Sequence, residues 1–230
     1  CEVTGANINE VSKAIGSDKR IGSQFLKPGP GFGGSCFKKD ILNLVYLCNF
    51  YGLKEVSNYW KSIWDLNLWQ QKRISEIILT NLFGTISGKN IGILGFSFKA
   101  NTNDTRESPA ISICKDLINE GANLRIYDPK VSKLQISYDL AQEEKKDGDN
   151  IKDSSWRYFG DLYSIAENTD ALVILTEWEE FSNIDWESIS KLMRSPAWLF
   201  DTRGIVDKES VSRSGMKIWQ IGQDNSNIIY

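Results

Sequence analysis

The sequence predicts an α/β protein in which a helical region over residues 1–84 precedes a doubly wound parallel sheet over residues 85–230. Two observations carry this. Before Gly84, apolar residues recur at helical spacing between glycine-rich breaks. After it, short apolar runs alternate with amphipathic stretches. Strands that alternate with helices pack as parallel units, and such sheets hold ligands at the carboxyl ends of their strands.

Val3, Ala6, Val11 and Ile15 share a face and predict a first helix, stopped by Gly16. The Gly/Pro-rich run from Lys27 to Ser35 is a loop. Phe37, Ile41, Leu44, Val45 and Cys48 predict a second helix that ends near Gly52. A third runs from Glu55 to about Phe83, and at roughly 1.5 Å per residue it spans about 40 Å. Its Tyr59, Trp60, Trp64 and Trp69 are read as packing surface, and a dimer interface is expected there. Strands are expected at Ile91–Phe96, Leu124–Pro129, Ala171–Thr176, Trp198–Asp201 and Lys217–Ile221. Helices lie between them around 109–120, 160–168 and 185–193. The polar stretch 131–157 is expected to be a surface excursion, with Glu143-Glu144-Lys145-Lys146-Asp147 a solvated loop.

A net charge of −3 and a pI near 5.2 give no electrostatic attraction to nucleic acid or to an anionic membrane, so neither is an expected partner. No apolar run approaches the roughly 20 residues that span a bilayer. The chain opens on Cys1-Glu2-Val3-Thr4-Gly5, without an initiator Met or a signal-peptide pattern, and is expected to be part of a longer, cytoplasmic protein. Cys1, Cys36, Cys48 and Cys114 form no Cys-x-x-Cys pair, which removes zinc ribbons and thioredoxin-like motifs. Cys48 and Cys114 fall on apolar helical faces and are expected in the core. The chain has no histidine. Ser-His and Cys-His catalysis and His-based metal sites are therefore excluded, and no metal is expected.

The most informative stretch is Gly31-Phe32-Gly33-Gly34-Ser35-Cys36-Phe37-Lys38-Lys39-Asp40. Glycines let a backbone approach a ligand closely. The helix that follows offers unpaired N–H groups and a positive dipole end, which favours a thiolate at Cys36. Asp40, four residues on, shares the helical face of Cys36. A thiol and a carboxylate above a glycine loop suit covalent catalysis on a carbonyl followed by hydrolysis.

That string, begun at Lys27, resembles the catalytic loop of the UDP-glucose/GDP-mannose dehydrogenase family. Gly95-Phe96-Ser97-Phe98-Lys99, Asn103-Asp104-Thr105-Arg106-Glu107-Ser108-Pro109, Thr176-Glu177-Trp178 and Phe200-Asp201-Thr202-Arg203 follow in the family's order. The resemblance covers essentially the whole chain, and the wording around Phe37 is closer to UDP-glucose than to GDP-mannose members. It implies a helical central and dimerisation region over 1–84 and a Rossmann-like UDP-sugar-binding domain over 85–230.

The resemblance further implies an NAD-dependent enzyme that oxidises C6 of a nucleotide sugar twice, through a thiohemiacetal and a thioester on Cys36. Asp40 would position or activate water. Arg20, Lys27, Gly31, Phe32, Gly33, Phe98, Lys99 and Arg203 would bind the UDP-sugar, with Arg20 reaching the substrate of a neighbouring subunit of a homodimer or higher homo-oligomer. Cys36, Lys39 and Arg106 would contact NAD. The family's other catalytic Lys and Asn, and its NAD-binding domain, lie upstream of Cys1, and no Gly-x-Gly-x-x-Gly follows a strand in these residues. From other classes, a non-catalytic nucleotide-sugar module has no need of Cys36 with Asp40. A thiol redox protein has no second Cys placed to resolve an intermediate.

Overall fold

The computed structural model describes residues 1–141 and 155–225. Its helical half holds α1 (Ile8–Gly16), α2 (Phe37–Phe50) and α3 (Lys54–Asn81). Helices α2 and α3 fold back on each other across a turn in which Gly52 takes φ +75°. Six parallel strands follow: β1 (Asn90–Leu94), β2 (Asn123–Tyr127), β3 (Trp156–Tyr158), β4 (Ala171–Ile174), β5 (Trp198–Asp201) and β6 (Lys217–Gln220). They lie in the order β3-β2-β1-β4-β5-β6, so the direction in which successive strands are added across the sheet reverses between β1 and β4, the doubly wound arrangement.

Successive side chains of a strand point to opposite faces. Ile91, Ile93, Val173 and Phe200 therefore face one side, with α4 (Pro109–Asn119) and α5 (Lys133–Ala141). Leu94, Leu172, Ile174 and Leu199 face the other, with α6 (Leu162–Ala166), α7 (Glu179–Ser182), α8 (Trp186–Leu192) and α9 (Lys208–Arg213). The last turns of α3 belong to the first of these layers, because Ile74, Ile77 and Ile78 are buried with the sheet residues. The upper part of the α2–α3 pair is bare instead: Tyr46, Phe50, Tyr59, Leu66 and Trp69 are exposed.

Three expectations are corrected. The first helix starts at Ile8, since Gly5 (φ +72°) breaks the chain and the Asn7 side chain caps the Asn9 N–H at 2.8 Å; Val3 is 97% exposed. The stretch 131–157 is in part core: Ile136 and Leu140 of α5 are buried, and β3 pairs with β2 through Leu124–Trp156 and Ile126–Tyr158. Two apolar residues one turn apart anchor α5, too few to show against its polar neighbours. The acidic and basic run at 143–147 lies outside the described residues. Cys48 is partly exposed rather than core, because α2 is covered on one side only, by α3.

The carboxyl edge of the sheet is organised by two buried aspartates. Oδ2 of Asp128, just past β2, accepts from the Phe96 N–H (2.7 Å), the Ser97 N–H (3.1 Å) and the Trp178 indole (3.2 Å). Its Oδ1 accepts from the Lys130 and Val131 N–H groups, each at 2.9 Å. Asp201, at the end of β5, accepts from the N–H groups of Arg203, Gly204 and Val206 and from the Gln220 amide. Removing such an acceptor strands buried donors. We expect Asp128→Ala to cost about 2–4 kcal/mol in a denaturant titration, and Asp128→Asn most of that, because an amide accepts through one oxygen only.

Candidate active site

The glycine loop is held from below by polar residues of α3. The Phe32 N–H donates to Asn67 Oδ1 at 2.8 Å and Asn67 Nδ2 donates back to the Phe32 carbonyl at 3.2 Å. Gln70 Nε2 donates to the Gly29 carbonyl at 3.0 Å. On its other side the loop lies against the turn before α4. The Gly34 N–H donates to the Arg106 carbonyl at 2.8 Å. A Cβ on Gly33 would stand 2.3 Å from the Glu107 carbonyl oxygen, and one on Gly34 would stand 3.0 Å from the Phe98 ring. Glycine at these two positions is thus what lets the helical half meet the sheet half.

The loop delivers Cys36 to the first position before α2, with its thiol exposed and 3.8 Å from Ser35 Oγ. The Asp40 N–H donates to the Cys36 carbonyl at 2.9 Å, so both share one helical face, as expected. Phe37 packs edge-on against Phe32, with centroids 5.5 Å apart. Lys38 bridges both Glu107 carboxylate oxygens at 2.9 and 2.8 Å and lies 5.2 Å from the Trp64 ring centroid. Glu107 adopts φ +53°, an uncommon conformation for a side-chain-bearing residue, in the turn that also presents Arg106.

Beside Cys36 a cavity of about 870 Å³ opens between α2, α3, α4 and α5, with Ser35, Lys39, Thr105 and Arg106 on its wall. Arg106 is exposed and forks onto Asp104, the closest contact being 2.6 Å. The guanidinium holds Asp104 below the ordinary carboxylate range. Arg106 is itself raised, chiefly by the Asp104 hydrogen bond, with the Cys36 sulfur a smaller influence. Cys114 is fully buried, and desolvation pushes its thiol far up.

At the carboxyl ends of β1 and β5, Phe98 and Arg203 come together with the loop: Arg203 Nη2 lies 3.5 Å from the Phe98 carbonyl, and Nη1 faces Gly29. Lys99 is exposed, its ammonium 5.3 Å from the Phe98 ring, and Lys27 is exposed at the loop's start. Arg20 stands apart from this group, paired with Asp18 at 2.6 Å and with its side chain 89% exposed. Among the described residues no three His, Cys, Asp or Glu are placed to hold a metal ion. Asn67, Gln70, Gln71 and Glu107 escaped the reading of the sequence. Asn67, Gln71 and Ser75 share the helix face of Ile74 and Ile78, and buried polar residues on an apolar face were the available signal.

Residues 92–208 match the UDP binding domain of the UDP-glucose/GDP-mannose dehydrogenase family, and residues 1–68 match its central domain. The chain belongs to this family. It is 47% identical over 223 residues to the UDP-glucose 6-dehydrogenase of Drosophila melanogaster, covering 97% of this chain and 47% of that one. It is 45% identical over 232 residues to UDP-glucose 6-dehydrogenase 3 of Oryza sativa subsp. japonica, covering 97% and 48%. The chain thus spans about half the length of the curated relatives it matches. The UDP-D-ManNAc dehydrogenase of Pyrococcus horikoshii superposes with a TM-score of 0.70 at 26% identity, over 96% of this chain and 46% of that one. A UDP-glucose dehydrogenase from the hyperthermophilic archaeon Pyrobaculum islandicum shares the fold, with a TM-score of 0.75 at 24% identity over 96% and 45%.

The contrast between an exposed Cys36 at a helix start and a sealed Cys114 is directly measurable. Limited alkylation near neutral pH, read by peptide mass spectrometry, should label Cys36 roughly a hundredfold or more faster than Cys114, whose labelling waits for an opening of the core. Equal rates would remove the case for Cys36 as the reactive thiol.

Proposed function

We propose that the chain forms the substrate half of an NAD-dependent UDP-glucose 6-dehydrogenase, with Cys36 as the nucleophile. The observation that carries this reading is the docking of the glycine loop. It sets an exposed thiol at a helix N-terminus against the strand ends that bear Phe98, Lys99 and Arg203. The 44–47% identity to proteins named UDP-glucose 6-dehydrogenase supports the choice of sugar nucleotide.

In this reading Lys27, the backbone of Gly31, Phe32 and Gly33, Phe98, Lys99 and Arg203 hold the UDP-sugar. The Cys36 thiolate adds to the C6 aldehyde and holds that carbon covalently. At the thioester stage Asp40 orients a water and accepts a proton from it as its oxygen adds to the carbonyl carbon; the Cys36 thiolate leaves, and the acid formed loses its remaining proton to solvent to give the uronate. A thiolate leaves more readily than an alkoxide, which is the reason for sulfur at this position. The exposed cations Lys39 and Arg106, with the Ser35 and Thr105 hydroxyls around the cavity beside Cys36, fit the anionic diphosphate of a dinucleotide. NAD, when bound, accepts the hydrides lost from C6.

The same reading makes the chain a homodimer at least. The bare apolar face of α2 and α3 supports this, since large exposed apolar patches mark interaction sites. Arg20, exposed in the turn after α1, would reach a neighbour's substrate by giving up its pair with Asp18. No helix among the described residues is long and apolar enough to cross a membrane. The cytoplasmic location of this reading rests on the likeness to proteins named UDP-glucose 6-dehydrogenase.

Calorimetric titration of the chain should give weak but measurable binding of UDP and UDP-glucose, tighter than GDP-mannose by roughly tenfold or more. Equal or better binding of GDP-mannose would overturn the assignment of the sugar nucleotide. When the chain is joined to the family's upstream dinucleotide-binding domain, Cys36→Ser should cut uronate formation roughly a thousandfold or more while thermal stability stays unchanged. Normal uronate release by that variant would show that another group is the nucleophile.

A further inference from the structure

Arg203 is the least exposed cation of the proposed UDP site: its side chain is 12% exposed, whereas Lys27 and Lys99 are open to solvent. Part of its donor set is already engaged by the protein. Nε–H donates to the Leu175 carbonyl at 2.8 Å, and Nη2 points to the Phe98 carbonyl at 3.5 Å. Nη1 lies 3.2 Å from Oε2 of Glu177, in the turn after β4. That contact is an ion pair without a hydrogen bond, so the buried Oε2 keeps an unfilled acceptor position. Burial lowers the Arg203 pKa, and the charges of Glu177 and then Asp201 oppose the fall.

The chemistry of the two halves of a nucleoside diphosphate differs. The diphosphate is multiply charged and is best met by cations whose charge is not already compensated. The nucleoside presents uncharged carbonyl and hydroxyl oxygens, which need N–H donors in fixed directions. An arginine largely covered from solvent beside its own carboxylate, as Arg203 is and the exposed Arg106 is not, supplies the second rather than the first. Nη1 also faces the glycine loop at Gly29, so the donors not taken by the protein open toward the loop that the UDP reading places around the ligand.

We propose that Glu177 is a positioning and specificity-determining residue: it neutralises Arg203 and fixes its free N–H groups on an uncharged oxygen of the nucleoside half, leaving the diphosphate to Lys27 and Lys99. This rests on the UDP-sugar reading given above. Glu177 acts through Arg203 and touches no reacting atom. It follows that Arg203 contributes to nucleoside recognition with little dependence on salt, whereas the two lysines carry the salt-dependent part of binding.

The test is a titration of the 230-residue chain with UDP and with uridine, by calorimetry and by NMR line shifts, at two salt concentrations. Glu177→Gln should weaken uridine and UDP by the same factor, roughly tenfold, and should steepen the salt dependence of UDP because Arg203 is then uncompensated. Lys99→Ala should weaken UDP and leave uridine unchanged. Arg203→Lys keeps the charge and loses the fork, so it should weaken both ligands equally and serves as the deciding variant if Glu177→Gln does not fold. Tighter UDP binding by Glu177→Gln would overturn the proposal, as would a loss of UDP affinity in Glu177→Gln or Arg203→Lys that spares uridine. UDP binding absent from the unaltered chain would instead sink the underlying UDP reading, and this inference with it.

Discussion

Backbone N–H groups of two tight turns converge on the carboxylates of Asp128 and Asp201 at the carboxyl edge of the sheet. A loop at this edge has no ladder partner for its donors, and burying them unpaired would cost more than the loop could recover. One carboxylate answers for the 96–98 turn and the other for the 203–206 turn. Because those turns carry Phe98, Lys99 and Arg203, the position of every proposed substrate contact on the sheet side follows from where two aspartates find their donors.

The helical side of the site is set by a second fit, between the glycine loop and the turn that ends in the N-cap of α4. Ser108 caps the Ala110 N–H and also donates to the Phe96 carbonyl, so the turn and the helix are tied to the segment just past β1. The loop lies on that unit through Gly33 and Gly34, and α3 braces it from beneath with Asn67 and Gln70. The start of the chain adds a strap: Glu2 pairs with Arg73 of α3 and accepts from the Gly222 N–H at 2.9 Å beyond β6. An exposed thiol is held in place here by contacts that are themselves mostly out of water.

Charge is partitioned across the site in the same way. Arg203 is largely covered beside Glu177, and Arg106 and Lys38 are paired at the surface with Asp104 and Glu107. Exposed pairs of this kind add little stability, on the order of 0–1 kcal/mol, so their value lies in fixing directions. Lys27 and Lys99 stay exposed, which suits groups that must take charge from a ligand rather than from the protein.

The local sequence alone was enough for every described strand except β3, and for the doubly wound class, the glycine loop, the helix beginning at Phe37 and the shared face of Cys36 and Asp40. Each of these depends on short-range rules: alternation in strands, glycine at a close approach, a four-residue helical step. Arg203 reaching Leu175 and Glu177, Asn67 holding Phe32, Glu107 taking Lys38 and the burial of Ile136 and Leu140 were decided only by the tertiary structure. These are pairings between residues 26 to 69 positions apart or placements against a distant sheet. A polar residue carries no local mark that says whether its partner is water or another part of the chain. The same limit misplaced α5 and Cys48, since two apolar residues can anchor a helix when a sheet lies beneath them, and an apolar face stays open when nothing covers it.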